Sequence, residues 1–250
     1  MTNGMITVRS QSTRLPEKCF LPFGDCSVLE HVIRRAKHFN ISPIVCTTTQ
    51  SEDDRVIEIA KQEDVRYFRG SVQDKLLRWR DACREHDVKD FITVDADDPF
   101  FDGKLSHKSI KTLREEFDFI KHPVQQPYSG YYEGCVGYSL RLSIIEDACR
   151  LKKTDDTEMM WHFIEAVPNV RISHLDVKSD KVEFPTRLTL DYQEDYWLLC
   201  SILRIIGPFS ERDEISDLLK ANPDFYKINW FRNDEYKLNH DNPTSLTGSN

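Results

Sequence analysis

The chain has 250 residues, of which 39% are hydrophobic and 30% are charged, and its formal net charge is −8. These values are typical of a globular protein with a full apolar core. The acidic balance argues against broad nucleic-acid binding, which needs a basic face. The apolar runs are too short to span a bilayer and the N-terminus lacks the apolar segment of a signal peptide. We therefore expect a cytoplasmic protein with neither a membrane nor a nucleic-acid partner.

In chain order, the first hundred residues alternate short apolar runs with helical patterns. Strands are predicted at 5–8, 43–49 and 65–70. A further buried strand begins at 91 and runs into an acidic turn at 94–99. Helices are predicted after Ser27 and Ser51, both in capping-box sequences, and at 74–86. This alternation indicates βαβ units and a largely parallel sheet. The loops after Val8, Thr49, Arg69 and Val94 should then gather at one edge of the sheet, where open α/β sheets bind ligands.

The second half of the chain is less regular. Strands are predicted at 117–122, 135–140, 170–177 and 186–190, and helices at 141–151, 155–166, 191–207 and 211–222. We expect one domain over 1–236, with the polar tail 237–250 disordered. Seven cysteines occur singly and form no Cys-x-x-Cys pair, which argues against a disulfide framework or a zinc ribbon.

The loop after the first strand, VRSQSTRLPEK (8–18), is basic and rich in hydroxyl groups. Its charged donors are Arg9, Arg14 and Lys18, and its hydroxyl groups come from Ser10, Ser12 and Thr13. Guanidinium forks match phosphate oxygens and a lysine supplies a mobile point charge, so the loop suits a polyphosphate. Neither a P-loop nor a Rossmann glycine motif is present, so side chains would do most of the binding. From charge spacing alone, a solvated loop with surface ion pairs remains an alternative.

Two acidic segments follow predicted strands. VDADDP (94–99) has three carboxylates in four residues, which repel each other unless a cation neutralises them, and such hard oxygen ligands favour Mg²⁺ or Mn²⁺. Asp191 follows LTL at a strand-to-helix junction. The alternatives are a solvated acidic turn for the first segment and a helix cap for Asp191. Together with the basic loop, the two segments indicate metal-assisted phosphoryl or nucleotidyl transfer.

Four stretches carry a resemblance to a known family. They are VRSQSTRLPEKCFLPFGDCSVLEHVIRRA (8–36), FRGSVQDKLLRW (68–79), FITVDADDPFFD (91–102) and RLTLDYQEDY (187–196). In them the chain resembles the cytidylyltransferase family, most of all the group of spore coat polysaccharide biosynthesis protein F, which is related to the CMP-Kdo and CMP-sialic acid synthetases. The resemblance implies a three-layer α/β nucleotide-binding fold with a mostly parallel sheet, similar to that of nucleotide-diphospho-sugar transferases.

The resemblance also implies a reaction and residue roles. An enzyme of this family would use Mg²⁺ to transfer CMP from CTP to a sugar acid or a related acceptor, with release of pyrophosphate, for surface glycan biosynthesis. By position, Arg9, Arg14 and Lys18 would hold the triphosphate as catalytic residues; Ser12, Thr13, Ser71 and Asp74 would contact the nucleotide; and Asp97 and Asp191 would bind the metal. The segment from about 117 to 185 would shape the acceptor pocket and the interface of a homodimer.

Two departures from the family pattern and two alternatives remain. Family members often carry a glycine before the lysine, and a small residue or cysteine before the proline of the acidic turn, where this chain has Glu17 and Asp98. One alternative is a glycosyltransferase that uses Asp95-Ala96-Asp97 as a DxD motif. The other is a non-catalytic nucleotide-binding homologue. The dense charge of the STRLPEK segment favours the cytidylyltransferase, because a glycosyltransferase needs no such clamp for a triphosphate.

Overall fold

A computed structural model describes residues 1–12, 14–123, 134–177 and 187–235. The strands of these residues are β1 (Thr2–Thr7), β2 (Pro22–Phe23), β3 (Cys26–Ser27), β4 (Ile41–Thr48), β5 (Arg66–Gly70), β6 (Asp90–Asp95), β7 (Phe119–Lys121), β8 (Ser139–Arg141) and β9 (Ile172–His174). Strands β2 and β3 form a small antiparallel hairpin, and the others form one sheet in the order β5-β4-β1-β6-β8-β7-β9. Strand β8 runs antiparallel to β6 and β7, and the remaining pairs are parallel. The predicted mostly parallel sheet is confirmed.

Helices cover both faces of the sheet. They are α1 (Val28–His38), α2 (Asp54–Gln62), α3 (Lys75–Glu85), α4 (Gly103–Glu116), α5 (Leu142–Leu151), α6 (Met160–Glu165), α7 (Gln193–Ile206) and α8 (Arg212–Ala221). Successive side chains of a strand point to opposite faces, so in β1 Ile6 packs with α1, α2 and α4, whereas Met5 packs with α3, α5 and α6. The result is the expected three-layer α/β arrangement.

A third apolar cluster lies outside the two faces of the sheet. Helices α7 and α8 contribute Leu198, Leu199, Ile202, Leu203, Ile215 and Leu219, which pack with Phe23 of the hairpin and with Phe100. The buried Arg35 of α1 links this cluster to the sheet, because its guanidinium donates to the carbonyl oxygens of Phe101, Pro208 and Ser210 at 2.9, 2.8 and 2.7 Å. The C-terminal helices are therefore attached to the body of the fold by both packing and hydrogen bonds.

Several local predictions were wrong. Helix α4 was not predicted, the helix expected at 155–166 covers only Met160–Glu165, and residues 187–190 of the expected strand 186–190 are not in a strand. The capping box at Ser27 is confirmed, since the Ser27 N–H donates to Glu30 at 2.7 Å and the Glu30 N–H donates to Ser27 Oγ at 3.3 Å. The box at Ser51 is not formed, because Ser51 lies in a 3-10 turn before α2. The tail 237–250 lies outside the described residues.

Two further sequence-based expectations concern thiols and membranes. All seven cysteines are free in the structure, and the absence of disulfides agrees with their isolated spacing. None of the helices in the described ranges combines the length with the apolar character that a bilayer crossing requires.

Candidate active site

The carboxyl ends of four parallel strands meet at one edge of the sheet. Thr7 at the end of β1 pairs with Cys46 of β4 and with Asp95 at the end of β6, and Thr48 of β4 pairs with Gly70 of β5. The loops that follow these strands therefore lie side by side, as the alternating pattern predicted. This edge brings the basic loop and the acidic turn together.

Lys18 lies between the two predicted acidic segments. Its Nζ donates to Asp97 Oδ2 at 2.6 Å, to the carbonyl oxygen of Leu190 at 2.8 Å and to Asp191 Oδ1 at 3.0 Å. Burial alone lowers the pKa of Lys18, but Asp97 and Asp191 outweigh burial, so the pKa is raised. Lys18 is therefore a charged ammonium that joins two carboxylates separated by 94 positions in the chain.

The carboxylate of Asp191 is surrounded by cations. Its Oδ1 also accepts a hydrogen bond from Arg14 Nη2 at 2.7 Å, and its Oδ2 accepts one from Arg187 Nη2. Asp191 is only 4% exposed, and burial alone raises its pKa, but Lys18, Arg187 and Arg14 outweigh burial and the pKa is lowered. Asp191 is thus an anion, and it does not cap α7, whose first turn is held by Asp195.

Sequence reasoning missed Arg187. It lies four residues before Asp191, in the RLTLDY segment that carries the resemblance. Its two ion-pair partners, Asp191 and Asp195, are both buried. Its position inside that motif was the available signal. A fully buried guanidinium is costly without such partners, so Arg187 and the two carboxylates it contacts, Asp191 and Asp195, form one unit.

Arg9 lies in a second ion-paired group at the same edge. Its Nη2 is 3.1 Å from Glu158 Oε2, and the Nζ of Lys75 is 3.8 Å from Glu158 Oε1. Burial alone raises the pKa of Glu158, but Lys75 and Arg9 outweigh burial and lower it. Glu158 was not assigned a role from the sequence, since a single glutamate in a predicted helix carries no spacing signal, and Lys75 was passed over in favour of its neighbour Asp74.

The three aspartates of the acidic turn differ in environment. Burial raises the pKa of Asp95 to about 6. The charge of Lys75 acts against this shift and the charge of Asp97 adds to it. Burial and the charges of Asp97 and Asp95 raise the pKa of Asp98, whose side chain hydrogen-bonds to Thr189. Asp97 is the carboxylate of this turn that contacts Lys18. The structure thus separates Asp97 from Asp98, which the sequence alone did not.

The four residues expected to contact the nucleotide fall in different places. Ser12 lies in the basic loop, where its Oγ accepts the N–H of Leu15 at 3.5 Å. Thr13 lies outside the described residues. Ser71 Oγ accepts the N–H of Asp74 at 3.1 Å, so it stabilises the turn before α3.

Asp74, which is expected to contact the nucleotide, has close partners within the fold. Asp74 is 1% exposed; it caps α3 by accepting the N–H of Leu77 at 3.0 Å, and it pairs with Lys152 at 2.5 Å. Its other close partner is the hydroxyl group of Thr157, at 2.9 Å. The carboxylate is therefore engaged in holding α3 and the segment around Thr157. An aspartate before a helix fits both a cap and a ligand contact, so the sequence could not distinguish them.

The possible metal ligands are two carboxylates. The described ranges hold no group of three or more His, Cys, Asp or Glu side chains arranged for a metal ion. Asp97 and Asp191, however, both contact the one ammonium group of Lys18. They are close enough to share a single positive charge, so the pair can hold one cation between them.

The fold and the site define a class of protein: a nucleotidyltransferase, with a basic loop and acidic turns at the carboxyl edge of an α/β sheet. The sequence profile of the cytidylyltransferase family matches residues 4–196, and the chain belongs to this family. It is therefore an enzyme of a class whose nucleotide donor is CTP. This membership favours the nucleotidyltransferase over the glycosyltransferase alternative.

Individual relatives agree with this assignment. The spore coat polysaccharide biosynthesis protein SpsF of Bacillus subtilis is 25% identical over 231 residues, which are 88% of this chain and 94% of the relative. A cytidylyltransferase structure from Leptospira borgpetersenii superposes with a TM-score of 0.79 and 26% identity, covering 90% of this chain and 96% of that one. A CMP:2-keto-3-deoxy-manno-octonic acid synthetase complexed with CTP has a TM-score of 0.60 and 13% identity, over 82% and 99% of the two chains, and shares the fold.

Proposed function

We propose that this protein is a Mg²⁺-dependent cytidylyltransferase that transfers CMP from CTP to a sugar acid or a related acceptor, with release of pyrophosphate, for surface glycan biosynthesis. The observation that carries the proposal is the contact of Lys18 with both Asp97 and Asp191, at 2.6 and 3.0 Å. It joins a loop suited to a triphosphate to two carboxylates suited to a metal. The similarity to SpsF supports the glycan role, and the fold shared with a sugar-acid synthetase supports the acceptor class.

The donor set fits a Mg²⁺ ion. Mg²⁺ is usually bound through one or two carboxylates together with substrate phosphates, and not by a cage of protein ligands alone. Asp97 and Asp191 provide two such carboxylates in contact with one positive charge. When bound, Mg²⁺ would neutralise phosphate charge and polarise the α-phosphate. These two residues would hold it.

The basic residues would act on the triphosphate. Arg9, Arg14 and Lys18 each pair with a carboxylate in the structure, so binding of the metal and the triphosphate would exchange one set of partners for another. Ser12 and Thr13 would donate to phosphate oxygens. An acceptor oxygen would form the new bond to the α-phosphorus while the bond to the bridging oxygen breaks. Arg14 and Lys18 would then stabilise the charge on the leaving pyrophosphate.

The direct test measures pyrophosphate release. The four nucleoside triphosphates are each incubated with Mg²⁺ and a panel of 2-keto sugar acids and phosphonates, and we expect release with CTP and one class of acceptor. Release of free nucleoside diphosphate from a sugar nucleotide would instead support the glycosyltransferase. If calorimetry detected no binding of any nucleotide, both the proposed cytidylyltransferase and the glycosyltransferase would be wrong, whereas nucleotide binding without either reaction would favour the non-catalytic homologue.

Two substitutions identify the residues that carry the reaction. Asp97→Asn and Lys18→Ala should each lower pyrophosphate release by about 100-fold or more, because each removes a charge that faces the triphosphate or its metal. Asp224→Asn and Lys104→Ala are matched controls, since both residues lie in exposed surface ion pairs. Near-wild-type activity of either site variant would contradict its assigned role.

The proposal includes a homodimer in the cytoplasm. The dimer rests on the resemblance to the family, and the location rests on the short apolar runs of the sequence. Light scattering of the purified chain tests the first: we expect twice the mass of one chain, and a monomer over the working concentration range would overturn it.

A further inference from the structure

The C-terminal segment reaches the candidate metal site through Asn229. This residue follows the 3-10 segment Pro223–Ile228, is fully buried, and lies beyond residue 196, where the match to the family ends. Its Nδ2 donates to the carbonyl oxygen of Arg187 at 2.8 Å and to Asp195 Oδ1 at 2.9 Å. Both acceptors belong to residues that flank Asp191 in the chain.

Asp195 fixes the backbone at Asp191. Its Oδ2 accepts the N–H groups of Asp191 and Tyr192, both at 2.9 Å, and its Oδ1 accepts the Nε–H of Arg187 at 3.1 Å. The Asp195 side chain is fully buried. A carboxylate that accepts two backbone N–H groups sets the direction in which the chain leaves residue 191, and therefore where the Asp191 side chain points.

Arg187 fixes the Asp191 carboxylate itself. Its Nη2 donates to Asp191 Oδ2, while Asp191 Oδ1 faces Lys18 and Arg14. One guanidinium thus serves Asp191 and Asp195 at once, and Asn229 binds both Arg187 and Asp195. The four side chains form a closed network in which only Asp191 Oδ1 is directed to the basic loop.

We propose that Asn229 is a positioning residue for Asp191. It holds Asp195 and the backbone of Arg187, and it thereby keeps Asp191 Oδ1 directed at the Nζ of Lys18, which Asp97 also contacts. This role rests on the proposed function, in which Asp191 binds the metal. The consequence is that residues outside the matched family region contribute to the strength of metal binding.

The loss of Asn229 has a defined effect on this network. Without the Nδ2 donor, Asp195 Oδ1 keeps Arg187 as its partner and draws on the guanidinium that Asp191 Oδ2 also needs. Removal of a hydrogen-bond partner behind a metal ligand typically lowers metal affinity by about 10- to 100-fold. Among the residues that the structure describes, no hydrogen-bond partner faces the buried Oδ1 of Asn229, so the Nδ2 group is the part of the side chain that acts.

The test measures Mn²⁺ binding by the full chain in the presence of CTP, followed by electron paramagnetic resonance. We expect Asn229→Leu, which keeps the volume but removes both hydrogen bonds, and Asn229→Ala to weaken Mn²⁺ binding by about 10-fold or more. Ile215→Val is the matched control, because it removes one methyl group from the C-terminal apolar cluster and an aliphatic side chain makes no hydrogen bond to the network. It should lower Tm and leave Mn²⁺ affinity unchanged.

The outcomes separate this role from the proposed function. If the wild-type chain binds no Mn²⁺ with CTP, the metal part of the proposed function fails, and the positioning role fails with it. If the wild type binds Mn²⁺ and both Asn229 variants bind it equally well, only the positioning role is overturned. An equal loss in Ile215→Val at a similar change in Tm would also overturn it, since general destabilisation would then explain the effect.

Discussion

Glu17 adopts a backbone conformation that side chains other than glycine rarely favour. Its φ and ψ angles are 53° and 26°, and it immediately precedes the 3-10 turn Lys18–Phe20. The N–H of Phe20 donates to the carbonyl oxygen of Glu17 at 2.8 Å, which closes this turn. The left-handed residue therefore directs the chain so that Lys18 points at Asp97 and Asp191. A glycine at this position, which the resemblance to the family leads us to expect, would have a conformational reason.

Glu17→Gly should keep or raise the stability of the protein. A left-handed conformation costs a residue with a side chain about 1–2 kcal/mol, which a glycine would not lose. Part of this advantage is offset because the unfolded chain has greater conformational freedom with glycine. We expect the free energy of unfolding in urea to rise by between zero and about 1 kcal/mol. Glu17→Val should lower it by about 1–2 kcal/mol, because a β-branched residue tolerates this conformation poorly.

Glu17→Gln is the control for charge. It keeps the side-chain length and the left-handed backbone, so its stability should match that of the wild type. A clear loss in Glu17→Gly, together with a similar loss in Glu17→Gln, would show that the carboxylate matters and that backbone strain does not.

At the scale of single residues, the sequence predicted the convergence of Arg14, Lys18, Asp97 and Asp191 because each lies in a short motif that follows a predicted strand. Of the residues it missed, Arg187 lies inside such a motif, whereas Glu158 and Asn229 lie outside all of them. Glu158 meets Arg9 across 149 positions, and Asn229 meets Asp195 across 34. No local pattern encodes such contacts, since the fold of the intervening chain decides them.

At the scale of elements, the start of α3 joins two parts of the site. Asp74 caps the helix, and the buried Thr157 accepts the N–H of Leu76 at 3.0 Å while it donates to Asp74 Oδ1 at 2.9 Å. Glu158, the next residue, then contacts Arg9. The cap of α3 therefore also determines where Glu158 lies.

Asp74→Ala should destabilise the protein by about 3 kcal/mol, since it removes a helix cap and the buried one of the two carboxylates that pair with the nearly buried Lys152. Asp74→Asn retains a capping oxygen and should lose less. Urea unfolding measures both. The control is Asp155→Asn, because Asp155 pairs with the same lysine but is exposed, so its loss should change stability by less than about 1 kcal/mol.

The same variants decide between a cap and a nucleotide ligand. If Asp74 acts as the structure indicates, folded Asp74→Asn should bind CTP in calorimetry with an affinity close to that of the wild type. A folded Asp74→Asn protein that no longer binds CTP would restore the role that the resemblance implied.

Elements with a clear period were predicted, and those without one were not. Strands β1, β4 and β6 each contain a short run of apolar or β-branched residues, and the short β5 ends at a glycine, Gly70. Helix α4 begins at Gly103 and contains three polar residues for each apolar one over much of its length, which hides its stripe. The segment RLTL at 187–190 looked like a strand, but the Leu190 N–H donates to the backbone carbonyl oxygen of Asp97 at 2.7 Å and the segment lies against the acidic turn. Tertiary contacts outweigh propensity there.

At the scale of the whole molecule, helix α1 on one face of the sheet and the C-terminal apolar cluster meet around His31. Its ring lies 4.7 Å from that of Phe23 and 6.0 Å from that of Phe100, and its Nε2 donates to the carbonyl oxygen of Pro99 at 2.8 Å. This position connects α1 to the hairpin and to the turn after Asp98. A charge placed there would be far from water, so protonation should affect the stability of the whole fold.

Burial lowers the pKa of His31 to about 4, and the nearby charges of Arg35 and Arg34 add to this effect against the hydrogen bond to Pro99. An unfolded histidine has a pKa of about 6.5, so between about pH 6.5 and 4 the unfolded chain binds more protons than the folded one. Stability due to neutral His31 is therefore complete above about pH 6.5 and falls as the pH is lowered, by about 2 kcal/mol at about pH 5.

Urea unfolding at pH 7.5 and at pH 5 measures this loss of stability for each variant, because both pH values lie about one unit or more from the pKa of about 6.5 of the unfolded histidine. His31→Gln removes the titrating group and should reduce this difference by about 2 kcal/mol, while its own packing loss appears at both pH values and cancels. His38→Gln, on the exposed side of the same helix, should keep the wild-type difference; an unchanged difference in His31→Gln would place the acid sensitivity elsewhere in the molecule.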